Sequence, residues 1–292
     1  MIVFLKDALK KTFTAFAVYP VLVFGIACGT WIGTPKKPKP DNGNAAVSLT
    51  MQGTGPSLSL MAQSVAVIDK AGRAAGTIKL SAATMAMKEI QLRLSANENG
   101  SESQFVGPYI VDLLTNKITP SPARIETSAG IYNEIILKLE KLKGANASAS
   151  DPLLNRTFYV KGDYFSVSGE SRRFTFTYDV EEDFLLGARE HKSKGTELIG
   201  DAENSVIIKF QISKWFKFNN AETNGSNVDF SDLPSNEIDL SETAQGVGAT
   251  LRKVILSNMK HSPYYGRDQD GDGKLSNLEN DNQEDDNEPE SD

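Results

Sequence analysis

Residues 268–279 read DQDGDGKLSNLE. Asp268, Asp270 and Asp272 occupy positions one, three and five of that stretch, Gly273 position six and Glu279 position twelve. A hard divalent cation such as calcium takes about six to eight oxygens, and alternate carboxylates on one tight loop can supply most of them. The glycine permits a sharp turn at position six, and the closing glutamate brings two oxygens at once. Position seven contributes only a backbone carbonyl, here that of Lys274, so its side chain is unconstrained. Ser276, at position nine, would ligate directly or through a water. Leu275, at position eight, is apolar, as a loop packing one residue inward requires. The pattern predicts bound Ca2+; the competing reading is a solvated acidic run that happens to spell it.

This segment resembles an EF-hand calcium loop. Residues 280–292 (NDNQEDDNEPESD) are nearly all polar or acidic. They argue against a packed exiting helix and read as a disordered tail. A single loop without a partner binds weakly, and extracellular modules work at about 10⁻⁴ to 10⁻³ M calcium.

No other residues have a spacing of comparable specificity. Asp179, Glu181, Glu182 and Asp183 could serve acid–base hydrolysis or a second cation, or form the polar end of a strand. Trp215, Phe216 and Phe218 could stack on pyranose rings, or close the bottom of a core. The two histidines, His191 and His261, sit in polar or basic surroundings and read as solvated loop residues. The motifs H-E-x-x-H and G-x-S-x-G and the P-loop are absent from the sequence. The expectation is therefore binding rather than turnover.

The N-terminus indicates where this chemistry would operate. Lys6, Lys10 and Lys11 precede an uncharged apolar run, Phe13 to Ala27, which ends before Cys28, the sole cysteine. The stretch resembles a bacterial lipoprotein signal peptide over residues 1–27. Ile26 and Ala27 fit the lipobox, while Gly25 stands where leucine is preferred. The resemblance implies that Cys28 is acylated and becomes the mature N-terminus. The absence of Asp at position 29 implies, by the same resemblance, that the protein is not retained at the inner membrane. Two other readings stay open. The uncharged run continues to Lys36, long enough for an uncleaved anchor, and Cys28 could be an ordinary buried thiol. Both anchored readings place the body in the cell envelope, and the lipid-anchored reading places it at the outer membrane or surface. A single cysteine allows no disulfide framework. Residues 28–45 read as a tether, with prolines at 35, 38 and 40 favouring an extended spacer.

The net charge of −7 is concentrated at one end. Residues 268–292 hold eleven acids and one lysine, so the remaining chain is close to neutral and carries no electrostatic footprint for nucleic acid.

Residues 46–218 read as one β-rich domain. Phe174, Phe176, Tyr178 and Val180 alternate with Arg173, Thr175, Thr177 and Asp179, and Val206, Ile208, Phe210 and Ile212 with Lys209, Gln211 and Ser213. Met85 and Met87 begin an alternation that resumes out of phase at Ile90, Leu92 and Leu94, which predicts a β-bulge near Lys88 or Glu89. Further strands are expected in residues 105–114, 132–142 and 158–165. Short strands divided by Gly, Pro, Asn and Ser clusters predict a mainly β fold, an antiparallel sandwich with a C-terminal helix and calcium loop. Residues 219–240 read as a polar loop. Residues 241–259 read as a helix capped by Ser241, with Val247, Leu251, Val254 and Ile255 on one face and Gly246 and Gly248 weakening it. Pro263 and the Tyr264-Tyr265-Gly266 turn separate that helix from the loop that closes at Glu279.

The runs TMAMKEIQLRLS, GPYIVDLL, RIETSAGIYNEIILKLEKL, FYVKGDY and RRFTFTYDVEEDF resemble a bacterial lipoprotein domain of unknown function, over roughly residues 46–190. That resemblance implies a β-sandwich like that of carbohydrate-binding modules, and a surface address. The combined expectation is an envelope-anchored, calcium-binding, non-catalytic binding or assembly module. Its partners would be the membrane, through the lipid anchor, and an envelope protein or glycan. A carbohydrate-binding lipoprotein with Trp215 as platform is the first alternative, and a carboxylate-dependent hydrolase the second.

Overall fold

The computed structural model describes residues 43–54, 64–95, 102–144, 148–187, 195–219, 227–234, 236–276 and 279. Cys28, the expected signal peptide, nearly all of the tether, His191 and residues 280–292 lie outside the described residues.

Among the described residues the fold is mainly β, with two sheets. Four strands make the smaller sheet: β1 (Asn44–Thr54), β6 (Ile125–Ser128), β12 (Glu203–Gln211) and β14 (Pro263–Asp268), in the order β14-β12-β1-β6. The larger sheet is built on β3 (Ala74–Leu94), a strand of 21 residues. One edge of β3 pairs with β2 (Ser64–Ile68) and then β4 (Ser103–Asp112). Its other edge pairs with β8 (Phe158–Ser166) and then β7 (Gly130–Leu139). Beyond these lie β5 (Lys117–Thr119), β9 (Ser171–Tyr178), β10 (Asp183–Gly187), β11 (Thr196–Leu198) and β13 (Glu237–Leu240).

The register of β3 shifts between Met87 and Glu89 against both neighbours: against β7 Lys88 is the extra residue, whereas against β4 it faces two residues, Gly107 and Pro108. The phase slip in the sequence therefore marks a real bulge. A second shift, between Leu80 and Ala82 against β8, left no comparable trace in the hydrophobic pattern. Bulges bend a strand and increase its twist, which lets one long strand serve different partners along its two halves.

Strand alternation decides what is buried. Phe174, Phe176 and Tyr178 point inward, as do Val206, Ile208 and Phe210. Val180 lies past the end of β9 and is 46% exposed, contrary to the expected alternation. Ile212 is buried, but on the one-turn helix α1 (Ile212–Trp215) rather than on a strand. Side chains from the inner faces of both sheets share one hydrophobic cluster, giving a sandwich-like arrangement.

Several expectations are corrected. The sheets are mixed: β1 runs parallel to β12, and β13 parallel to β9. Within the expected polar loop, Phe230–Asp232 forms a 3₁₀ turn and Glu237–Leu240 forms β13, with Phe230, Ile238 and Leu240 buried in the core. The helix, α2, spans Val247–His261; Gly246 precedes it at φ +56, so it begins the helix instead of weakening its interior. Ser241 is not its cap. Glu242 instead accepts hydrogen bonds from Arg156 Nε (3.1 Å) and Thr177 Oγ1 (2.7 Å). Leu251, Val254 and Ile255 do face the core. Finally, Pro263–Asp268 is not a turn but the edge strand β14, so the β body extends past residue 218.

The smaller sheet has an outer face as well as an inner one. Its cross-strand rows on that side are Gln52–Lys209–Tyr264, Thr50–Ile207–Gly266 and Ser48–Ser205–Asp268. Ile207 belongs to this outer side, yet it is only 1% exposed and lies outside the main core cluster.

Candidate metal centre

The acidic loop leaves the sheet directly from β14. Asp268 is the last residue of that strand and pairs with Ser205, so the first expected ligand is fixed in the ladder. The chain then turns back through Gly271 (φ +75) and Gly273 (φ +74), left-handed conformations that favour glycine. The hinge expected at position six is thus present.

Hydrogen bonds shape the loop from within. Gly271 N–H donates to Asp268 Oδ1 at 2.7 Å and Gly273 N–H to Asp268 Oδ2 at 3.0 Å. Asp270 Oδ1 accepts from Asp272 N–H at 3.1 Å. Glu279 is the most constrained group. It is 5% exposed, and its two carboxylate oxygens accept from Gln269 N–H (2.6 Å) and Ser276 N–H (2.9 Å). Burial alone would raise its carboxyl pKa, but the N–H groups of Ser276 and Gln269 outweigh burial and hold it below the ordinary value.

Carboxylate oxygens of Asp268, Asp270 and Glu279 all lie within 4.8 Å of one another. Three such groups around one point could hold a metal ion, with each carboxylate contributing hard oxygen. Asp272 stands outside this triangle, its Oδ1 accepting the Lys274 N–H at 2.7 Å. Lys274 and Ser276 are exposed, and the Ser276 N–H serves to orient Glu279. The acids therefore converge at positions one, three and twelve, but not at five.

The loop also rests on the sheet. Gln52 Nε2 donates to Gly273 O at 2.7 Å, and Lys209 Nζ to Leu275 O at 3.3 Å. Lys209 Nζ also lies 5.6 Å from the centre of the Tyr264 ring. Leu275 is 4% exposed. Gly266 leaves the room for this approach: a methyl group there would meet Glu279 O at 1.8 Å and Leu275 Cδ1 at 2.8 Å. Gln52 and Lys209 had no signal in the sequence, because their role depends on a register joining strands far apart in the chain.

The aromatic platform is corrected. Trp215, Phe216 and Phe218 are each fully buried and belong to the core, so they offer no stacking face to a sugar. Trp215 Nε1 donates to Ser262 Oγ at 2.8 Å, while Phe216 and Phe218 pack against Phe230. Tyr132 and Tyr164 are core residues, their hydroxyls donating to Ser128 O and Ala75 O at 2.8 and 2.9 Å.

Two of the carboxylates near residue 180, Asp179 and Glu182, are engaged with cations. Lys260 Nζ contacts Glu182 at 2.5 Å, while Lys141 and Arg252 each approach Asp179 to 3.6 Å. Glu181 accepts from the Lys141 N–H at 3.3 Å. This arrangement fits the polar strand end rather than a free acid–base pair. His261 Nδ1 lies 2.6 Å from Ser257 O, one turn back on α2.

No family model matches the chain, and no curated protein matches it. Among solved structures, MbnP from Methylosinus trichosporium is similar over 59% of this chain and 77% of that one, at 12% identity and a TM-score of 0.25. A likeness this slight bears on neither fold nor chemistry.

Proposed function

We propose that this chain is an envelope-anchored protein that acts by binding rather than by turnover, and that its C-terminal loop takes one calcium ion. The observation that carries the metal reading is the convergence of Asp268, Asp270 and Glu279, with Glu279 buried and aimed by two backbone N–H groups. An all-oxygen set of carboxylates, with the Lys274 carbonyl and the Ser276 hydroxyl expected from their loop positions, suits calcium better than softer metals. Bringing three carboxylates within a few ångströms is unfavourable through like-charge repulsion, and a divalent cation offsets it. The anchored location rests on the sequence of residues 1–28 alone. The calcium-rich exterior it implies suits a site of modest affinity.

Calorimetric titration of calcium into the full chain tests the metal. A saturable signal below several millimolar is expected, and a flat titration over that range overturns the site. Mass analysis of the mature N-terminus tests the anchor. An acylated Cys28 is expected, whereas an intact Met1 peptide without acyl mass contradicts it.

A further inference from the structure

We propose that the outer face of the smaller sheet takes the place of a second calcium loop, so that ion binding and the attachment of β14 are a single equilibrium. The inference rests on the calcium reading and adds Gln52, Lys209 and Gly266 as positioning residues.

A lone acidic loop is floppy, and ordering it costs conformational entropy that an ion must offset. Here the ordering is shared with the sheet. The first acid, Asp268, is already held in the β12–β14 ladder. The carbonyl of the hinge residue Gly273 is held by Gln52 from β1, and the carbonyl of Leu275 by Lys209 from β12. The closing residue Glu279 presses its carbonyl against Gly266 of β14, where even a methyl group would not fit. Three strands of one sheet therefore each hold a different part of the loop.

The apolar contacts agree. Leu275 and Ile207 are both buried, and neither belongs to the main core cluster. Leu275 lies against Gly266, the cross-strand neighbour of Ile207. The loop is thus the cover for an apolar spot on the outside of the sheet, and the sheet is the platform for the loop. By linkage, a ligand that favours the docked loop must also favour the β12–β14 pairing, and loosening the platform must weaken the ligand. Calcium would then act as a clasp on the edge strand, and its removal would release β14.

The test uses the full chain and calcium alone, with two measurements. Calorimetry gives the affinity of the wild type, Gln52→Ala, Lys209→Met and Lys209→Arg. Amide hydrogen exchange follows β12 and β14 with calcium and with chelator. Gln52→Ala and Lys209→Met should each weaken calcium binding by about fivefold, the effect of losing one hydrogen bond. Lys209→Arg should recover most of that loss. Calcium should slow exchange in β14 at least tenfold and leave β8 and β9 unchanged. If the wild type binds no calcium, the metal reading itself fails. If it binds, but Gln52→Ala and Lys209→Met bind equally well and β14 exchanges at the same rate with and without the ion, the clasp is refuted and the site stands alone.

Discussion

Replacing Gly266 with alanine is the most direct test of the loop's docking. The added Cβ would sit 1.8 Å from Glu279 O and 2.9 Å from its carbonyl carbon, and 2.8 Å from Leu275 Cδ1. The first two neighbours are backbone atoms, so no side-chain rotation relieves the overlap. Either β14 distorts or the loop lifts away. Overpacking of this kind costs about 1–3 kcal/mol. If the loop lifts, Leu275 loses its burial, worth about 1.5–3 kcal/mol. The two routes are alternatives, so a cost of about 2–3 kcal/mol is expected. For a folded body of this size about 1 kcal/mol corresponds to roughly 2–4 °C, giving a fall in Tm of about 4–12 °C. Gly144→Ala is the control, since nothing lies within 4 Å of the added atom. Thermal unfolding of the two variants beside the wild type, in calcium, makes the comparison. A Gly266→Ala protein melting within 1 °C of Gly144→Ala would refute the packing argument.

Three further outcomes follow from the same geometry. Glu279→Ala should weaken calcium binding by roughly 100-fold or more, because it removes two ligand oxygens and the acceptors of two charge-assisted hydrogen bonds; Ser276→Ala should change it only a few-fold, and calorimetry separates the two. Trp215→Ala should cost about 3–5 kcal/mol in chemical denaturation, whereas a sugar-binding surface residue would cost little; Trp215→Phe should cost less, keeping most of the buried ring area. Glu242 has its pKa held below the ordinary 4.5: burial would raise it, but the Thr177 hydroxyl and Arg156 outweigh burial. A depressed carboxyl contributes stability at pH above 4.5 and loses it as pH falls through the lower folded-state value. Glu242→Gln should therefore be less stable than wild type at neutral pH, with the gap closing on acidification in denaturant melts at pH 7 and in strong acid. A gap that stays constant would show that the ionised form has no special role.

Much of the fold was legible because its strands have one dry and one wet face. Period-two alternation placed β9 and β12, and the phase slip after Met87 located a bulge near Lys88 or Glu89. The acidic loop was legible because its acids are local in sequence. What escaped the sequence was sparse or non-local. Phe230, Ile238 and Leu240 are few among polar neighbours, so a turn and a parallel edge strand looked like loop. Pro263-Tyr-Tyr-Gly has turn composition, yet its proline opens an edge strand, where a missing N–H is tolerated. Trp215, Phe216 and Phe218 fit either a ligand platform or a core by composition, and their surroundings place them in the core. Gln52 and Lys209 are unremarkable polar residues until the register of β1, β12 and β14 brings them beneath the loop.

The parallel pairing of β1 with β12 has a mechanical consequence. It runs from Ala46↔Glu203 to Thr54↔Gln211, beginning two residues after the chain enters at Asn44. A pull applied along β1 from its N-terminal end would load the interstrand bonds together in shear instead of peeling them one at a time. Cooperative rupture of that kind is slow, and resistance to force is governed by the unfolding rate. Under such a pull β1 would bear the tension, while β14, on the far side of β12, would lie outside the load path.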